Sequence, residues 1–259
     1  MKDFFSVENL SVKYGEDNII NNLSMNLSRG SLTALLGLNG TGKTSIIKAI
    51  CGLIPSSSTK MQIGNRDIKN LNNRKRSEII SYVPQKSNFE YSITSLDVVA
   101  MGFNPSLKIF ETPSKKQLDY ARLILDELGL KDKIDCDYKV LSGGQQQLVI
   151  LARAMVQNSL LMLFDEPDSA LDFPNRHMIM EKITSVLKNN NSCGLITLHD
   201  PNYALTYCET ILILNGGEIV GSINVKESNK YEIQEQLSLI YNNISIIEYK
   251  NQFVLLKDF

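Results

Sequence analysis

The sequence predicts an α/β protein: a parallel-sheet core with an antiparallel β lobe at the N-terminus and an inserted α-helical lobe. Three observations lead there. Short apolar runs at residues 32–36, 160–164 and 194–198 have the length and composition of strands buried on both faces. The first run enters a glycine-rich loop and then a helical pattern, while the other two end on polar residues, Asp165-Glu166 and His199-Asp200. Between residues 113 and 155 amphipathic helical spacing dominates.

Taken in order, residues 4–36 read as short strands and turns. Phe5-Ser6-Val7 and Leu10-Ser11-Val12 alternate, Gly15-Glu16-Asp17-Asn18 interrupts, and alternation resumes over residues 24–27. From Thr44 onward Ile46, Ile47, Ala49, Ile50 and Leu53 recur at helical spacing, and Gly52 and Pro55 mark the stop. Residues 113–130 predict an amphipathic helix with Leu118, Ala121, Leu125 and Leu128 on one side, and a second helix starts near Ser142 and runs through Leu148, Leu151, Ala152 and Met155. The helical lobe thus spans residues 93–156. From Thr210 the tail holds a hairpin about Gly216-Gly217, a polar helix over 227–241 and short strands to Phe259. Residues 222–259 therefore read as a C-terminal extension of one domain covering 1–259.

The 259 residues include 43% hydrophobic and 21% charged side chains with a net charge of −1, enough for one large core and too balanced for a nucleic-acid or anionic-membrane surface. No run approaches the ~20 apolar residues of a membrane span, and the acid in Met1-Lys2-Asp3-Phe4-Phe5-Ser6 argues against a signal peptide. Any membrane process served by this chain needs another chain to do the spanning. Cys51, Cys136, Cys193 and Cys208 are scattered among mostly apolar neighbours, which predicts buried free thiols in a reducing compartment.

Gly37-Leu38-Asn39-Gly40-Thr41-Gly42-Lys43-Thr44 fits the phosphate-binding pattern Gly-x-x-x-x-Gly-Lys-Ser/Thr in full, with a strand before it and a helix after it. The glycines let backbone N–H groups curl around phosphate oxygens at a helix N-terminus. Lys43 is expected to reach the terminal phosphates, and Thr44 to hold Mg²⁺. A plain glycine turn would explain the glycines but not the lysine.

Asp165 ends a buried strand where such a loop needs a metal-binding carboxylate. Glu166, one residue on, is placed on the opposite side by strand alternation and is assigned to polarising the attacking water. His199 ends another strand at the same sheet edge, where a terminal phosphate lies. His177, within a helical pattern, reads as structural.

Leu141-Ser142-Gly143-Gly144-Gln145 opens the second helix and forms another anion cradle. One nucleotide cannot easily use two cradles of one chain in this order, which suggests that the second serves a partner's nucleotide. With this motif the sequence resembles the ATP-binding cassette family along essentially the whole chain. The resemblance implies that Tyr14 stacks on adenine and that Gly37 to Thr44, with Ser45, form the Walker A loop around ATP and Mg²⁺. It implies that Gln85, in Tyr82-Val83-Pro84-Gln85, is the Q-loop residue acting at the metal and in catalysis, and that Asp165 and Glu166 close the Walker B strand. Ser169-Ala170-Leu171-Asp172 then resembles the D-loop, and His199 the switch histidine.

Family membership further implies a head-to-tail homodimer in which Ser142, Gly143, Gly144 and Gln145 face the other chain's ATP. The implied partners are transmembrane permease subunits and an extracytoplasmic substrate-binding protein, with this chain peripheral at the cytoplasmic face of the membrane. Residues 92–102, Leu198-His199-Asp200-Pro201-Asn202 and Leu237-Ser238-Leu239-Ile240-Tyr241 are similar to ATPases of iron-siderophore, haem and cobalamin importers. Against the family pattern, Asp168 stands where Thr is frequent, and Gln146 and Leu148 replace basic residues. An iron–sulfur assembly ATPase is the nearest rival. A P-loop kinase or GTPase would leave Gln85 and His199 unexplained.

Overall fold

The computed structural model describes residues 3–258. It opens with two antiparallel strands of 12 residues each, β1 (Asp3–Tyr14) and β2 (Asp17–Ser28). Shifts of register between Val7 and Leu10 and between Leu10 and Val12 break the strict alternation. These irregularities make two long strands look like several short ones in sequence. Then follow β3 (Leu32–Leu36), α1 (Lys43–Cys51), β4 (Lys60–Ile63), β5 (Arg66–Asp67), α2 (Asn73–Ser77) and β6 (Ile80–Val83).

The helical lobe holds α3 (Ser95–Ala100), α4 (Lys115–Glu127) and α5 (Gly143–Val156), which pack on one another. Beyond it come β7 (Leu161–Asp165), α6 (Phe173–Asn189), β8 (Cys193–Thr197), α7 (Pro201–Tyr207), β9 (Thr210–Asn215) and β10 (Glu218–Asn224). The chain ends in α8 (Lys230–Leu237), shorter than the helix expected over 227–241, and a hairpin of β11 (Ile244–Tyr249) and β12 (Gln252–Lys257). Asn229 starts α8 late because its side chain and that of Glu232 cap the helix reciprocally.

Six strands form the central sheet in the order β10-β9-β3-β8-β7-β6, all parallel except β10. A separate four-stranded sheet, β2-β1-β4-β5, makes the antiparallel lobe. The central sheet divides two cores. Leu35, Leu161, Leu163 and Leu195 face α1 and the antiparallel lobe, while Ala34, Phe164 and Ile196 face the helical lobe and α6. Each such side chain, fully buried, contributes about 1.5–3 kcal/mol if it is a leucine, isoleucine or phenylalanine. The short strands β4, β5 and β6 carry too few residues to show a period, and the sequence reading did not single them out.

All four cysteines are free, with Cys193 and Cys208 buried and Cys51 and Cys136 partly so. Burial pushes the Cys51 and Cys193 thiols up to about 12, so neither is a reactive thiolate.

One buried cation anchors the rear end of α1. Arg76 donates to the carbonyls of Ile50 at 2.8 Å, Ile68 at 3.0 Å and Lys69 at 2.9 Å, and it lies against Gly52. It thereby ties the helix that starts at the phosphate loop to the turn after β5. Arg76→Ala strips three carbonyls of their donor and is expected to lower the unfolding free energy by about 2–3 kcal/mol in urea denaturation. Arg76→Lys is expected to recover less than half, because one ammonium cannot span the same fork.

Candidate active site

The loop after β3 can leave the sheet only because residue 37 is glycine. A Cβ there would lie 2.6 Å from the Leu214 carbonyl oxygen of the adjoining β9. The loop closes at Gly42, which has φ +99° and caps α1. The first turn of α1 has no side-chain cap and no acidic residue, so its N–H groups and helix dipole suit an anion. Lys43 is buried and folds back to donate to the Gly37 and Leu38 carbonyls at 2.7 and 3.1 Å. Burial lowers the affinity of its amine for a proton, while Glu166 and Asp165 oppose that shift.

A cavity of about 300 Å³ runs along this loop, lined by Tyr14, Ile19, Asn39, Gly40, Gly42, Lys43, Thr44, Ser45 and Glu166. Tyr14, the last residue of β1, stands half exposed at its edge. A flat aromatic beside a phosphate cradle suits the base of a nucleotide.

Asp165 ends β7 with 2% of its surface exposed. Its Oδ1 accepts from the Thr44 hydroxyl and the Thr197 hydroxyl, both at 3.0 Å. Burial raises its pKa, and these two hydrogen bonds pull the other way. Thr197 does more, because its hydroxyl also accepts from the Glu166 N–H at 2.9 Å. In sequence Thr197 is one residue of an apolar strand, and its lone hydroxyl in that run is the only signal of this role.

Among the described residues no three metal-ligating side chains cluster. A buried carboxylate and a threonine hydroxyl, both hard oxygen donors, fit Mg²⁺, which takes few protein ligands and draws the rest from phosphate and water.

Glu166 does not extend the strand. Its φ is +49°, a left-handed conformation, so strand alternation does not set the direction of its side chain as the sequence suggested. Two polar contacts hold the carboxylate instead. Gln85 Nε2 donates to Oε2, and His199 Nε2 lies 2.7 Å from Oε1. The structure therefore gathers Gln85, Glu166 and His199 at one point, and Thr44 and Asp165 at the next. Gln85 follows Pro84, whose carbonyl accepts from the buried Gln147 of α5 at 3.3 Å. Gln147 had no special signal in sequence, since its partner lies 63 residues away.

The second cradle lies elsewhere. Ser142 caps α5 by accepting from the Gln145 N–H at 3.3 Å, and Gln145 Oε1 accepts from the Ser142 N–H at 3.0 Å. Ser142 and Gly143 are exposed, and none of residues 142–145 lines the phosphate-loop cavity. Gly144 packs on Ala170 and Leu171, where a Cβ would lie 3.3 Å from the Ala170 carbonyl. Of the residues that replace basic ones, Leu148 is buried in the core, and Gln146 donates to the Tyr138 carbonyl at 3.1 Å. His177 is held in an aromatic cluster, with Phe173 and Tyr203 at ring distances of 4.5 and 4.9 Å and the Tyr207 hydroxyl 2.6 Å from its Nδ1.

Residues 20–169 match the family model described as ABC transporter. The chain is 35% identical over 209 residues to an iron chelatin transport ATP-binding protein of Helicobacter pylori, covering 80% of this chain and 82% of that one. It is 33% identical over 211 residues to the manganese transport system ATP-binding protein of Bacillus subtilis, covering 81% and 82%. Its backbone superposes on a metal-chelate type ABC transporter in an inward-facing conformation with a TM-score of 0.77 at 25% identity, covering 98% of this chain and 96% of that one.

Asp168 gives a test of the electrostatics. It is buried, its Oδ1 has no hydrogen-bond partner among the described residues, and burial raises its pKa, with Arg176 and His199 opposing. Between the unfolded and the raised folded value only the folded chain holds the proton, so stability is lost as pH climbs through that window. Asp168→Asn removes this loss. In melts without nucleotide, the variant's advantage over the unmodified chain is expected to be absent in acid and to grow as pH rises above the ordinary carboxylate range.

Proposed function

The chain belongs to the ABC transporter family, and on that premise we propose that it is the ATP-hydrolysing subunit of an importer, working as a head-to-tail pair beneath a separate permease. Chains of this family bind nucleotide and couple ATP hydrolysis to transport. The observation that carries the pairing is the separation of the two cradles: the phosphate-loop cavity holds Lys43, Thr44 and Glu166 but nothing from residues 142–145. A second copy can bring its own Ser142, Gly143, Gly144 and Gln145 to that cavity, completing the shell around the terminal phosphate.

Within each site Tyr14 stacks on the adenine, and the backbone of Gly37, Asn39, Gly40 and Gly42 with Lys43 and Ser45 holds the phosphates. Thr44, Asp165 and Gln85 would hold Mg²⁺, which would supply positive charge to the phosphates. Glu166 orients and polarises a water whose oxygen bonds to the γ-phosphorus as the bond to the bridging oxygen breaks. ADP and inorganic phosphate result, and the water's proton is released. His199, on the far side of the same carboxylate, stabilises the terminal phosphate. Such a site works by positioning and charge neutralisation.

The fold is read as one domain over residues 1–259, with 93–156 as the helical lobe and 222–259 as a C-terminal extension. A groove of about 590 Å³ lies between Leu53, Arg74 and Tyr82, on or beside α1, α2 and β6, and Met101, Pro105 and Arg153 of the helical lobe. We assign to it a short cytoplasmic helix of the permease. Gln85 and residues 86–91 do not line this groove. Among the described residues no helix is long and apolar enough to cross a membrane. As the partner of a separate permease, the chain is assigned a peripheral place at the cytoplasmic face. The relatives' names, which print iron chelatin and manganese, support a metal species as cargo. Our reading extends to an iron chelate or cobalamin, delivered by an extracytoplasmic binding protein.

Glu166→Gln preserves the metal site and the phosphate cradle while taking the carboxylate from the water. Hydrolysis is expected to fall by about 10²–10⁴-fold with ATP affinity nearly unchanged. The variant is expected to elute as a dimer in gel filtration with ATP and Mg²⁺. A folded variant that binds ATP and still elutes as a monomer would contradict the pairing.

A further inference from the structure

The hairpin β11–β12 is clamped on both edges at a single cross-strand pair. Ile246 and Leu255 face each other, and both direct main-chain groups away from the ladder between them. On one edge the Ile246 N–H donates to Gln234 Oε1 of α8 at 3.2 Å. On the other edge the Leu255 N–H donates to Asn202 Oδ1 at 2.8 Å, and the Leu255 carbonyl accepts from Asn202 Nδ2 at 3.3 Å. The carboxamide of Asn202 takes the place of a third strand, with its donor and its acceptor both used.

Asn202 is the second residue of α7, and β12 packs along that helix. Asp200 caps α7 by accepting from the Asn202 N–H at 2.8 Å, and Pro201 fixes the backbone at the first helical position. The residue before Asp200 is His199, whose ring reaches Glu166. His199 itself lies outside any strand or helix with a half-exposed side chain, and among the described residues Glu166 is the only polar partner of its ring. The neighbouring Leu198 is buried, so it is the His199 side chain that is lightly held and takes its position from the backbone on either side. On one side is β8, and on the other is the N-terminus of α7.

We propose that Asn202 is a positioning residue for ATP hydrolysis, through which the C-terminal hairpin holds α7 and the His199 segment in register with Glu166. The hairpin lies beyond residues 20–169, where the family model matches, so this brace belongs to the tail of the chain. The inference rests on the role assigned to His199.

Asn202→Ala in the full chain, assayed well below its melting temperature, is expected to lower kcat about tenfold with KM for ATP within about twofold, because a misplaced group acts on the transition state and not on the phosphate cradle. Gln234→Ala frees the other edge of the same hairpin without touching α7, and its kcat is expected to stay within about twofold of wild type. His199→Ala separates the two readings. If it keeps wild-type kcat, the histidine's role falls and the brace with it; if it loses kcat while a folded Asn202→Ala keeps it, the brace alone falls. Equal losses in Asn202→Ala and Gln234→Ala would also overturn the proposal, since they would report a loosened hairpin only. Hydrogen exchange on the unmodified chain needs no variant: the Leu255 amide is expected to exchange at least about tenfold more slowly than the Phe253 amide of the same strand. Equal rates would mean that the clamp is not held.

Discussion

Asp165 and Glu166 leave the end of β7 side by side, almost withdrawn from water, where like charges repel and lose their hydration. Much of the surrounding structure answers that constraint. Two hydroxyls, from the helix after the phosphate loop and from the neighbouring β8, meet on one oxygen of Asp165. The buried ammonium of Lys43 supplies opposite charge. Glu166 is turned into a left-handed conformation that sends its carboxylate to Gln85 and His199 and away from its neighbour's partners. A non-glycine residue in that region carries about 1–3 kcal/mol of strain, which the surrounding contacts must offset.

The same contacts explain how events at the phosphate can reach the rest of the molecule. Gln85 touches Glu166, and the adjoining Pro84 is bonded to Gln147 in the helix that begins at Ser142. Gly144, in that helix's first turn, packs on Ala170 and Leu171, a few residues beyond Glu166. A shift at the catalytic carboxylate therefore bears on the second cradle along two routes, both made of direct contacts. The large groove is lined in part by Arg153 and Gln157, at the far end of α5. One helix thus joins the second cradle with the large groove, the two surfaces proposed for a second copy and for a permease.

Much of this was legible in the sequence where chemistry and local pattern coincide. The glycine spacing before Lys43, the carboxylates after an apolar run and the serine-glycine cap at residue 142 each combine a local conformation with a reactive group, and the structure places all of them at element ends. Long-range pairings were not legible. Thr197 looked like a strand residue and Gln147 like a helix residue, because their partners lie 32 and 63 residues away. The left-handed turn at Glu166 escaped because strand alternation assumes that the strand continues. Buried Arg76 escaped for a related reason: it bonds carbonyls, which carry no sequence signal, and not a carboxylate.

The central claim is that each catalytic site is divided between two copies of the chain. A mixture of Lys43→Ala chains with Ser142→Arg chains tests it most directly. Each variant alone lacks one half of every site and is expected to be inactive. In an equimolar mixture about half the pairs are mixed and each mixed pair has one intact site, so about a quarter of wild-type ATPase activity is expected to return. No recovery, with mixed pairs shown to form in the presence of ATP, would contradict the account.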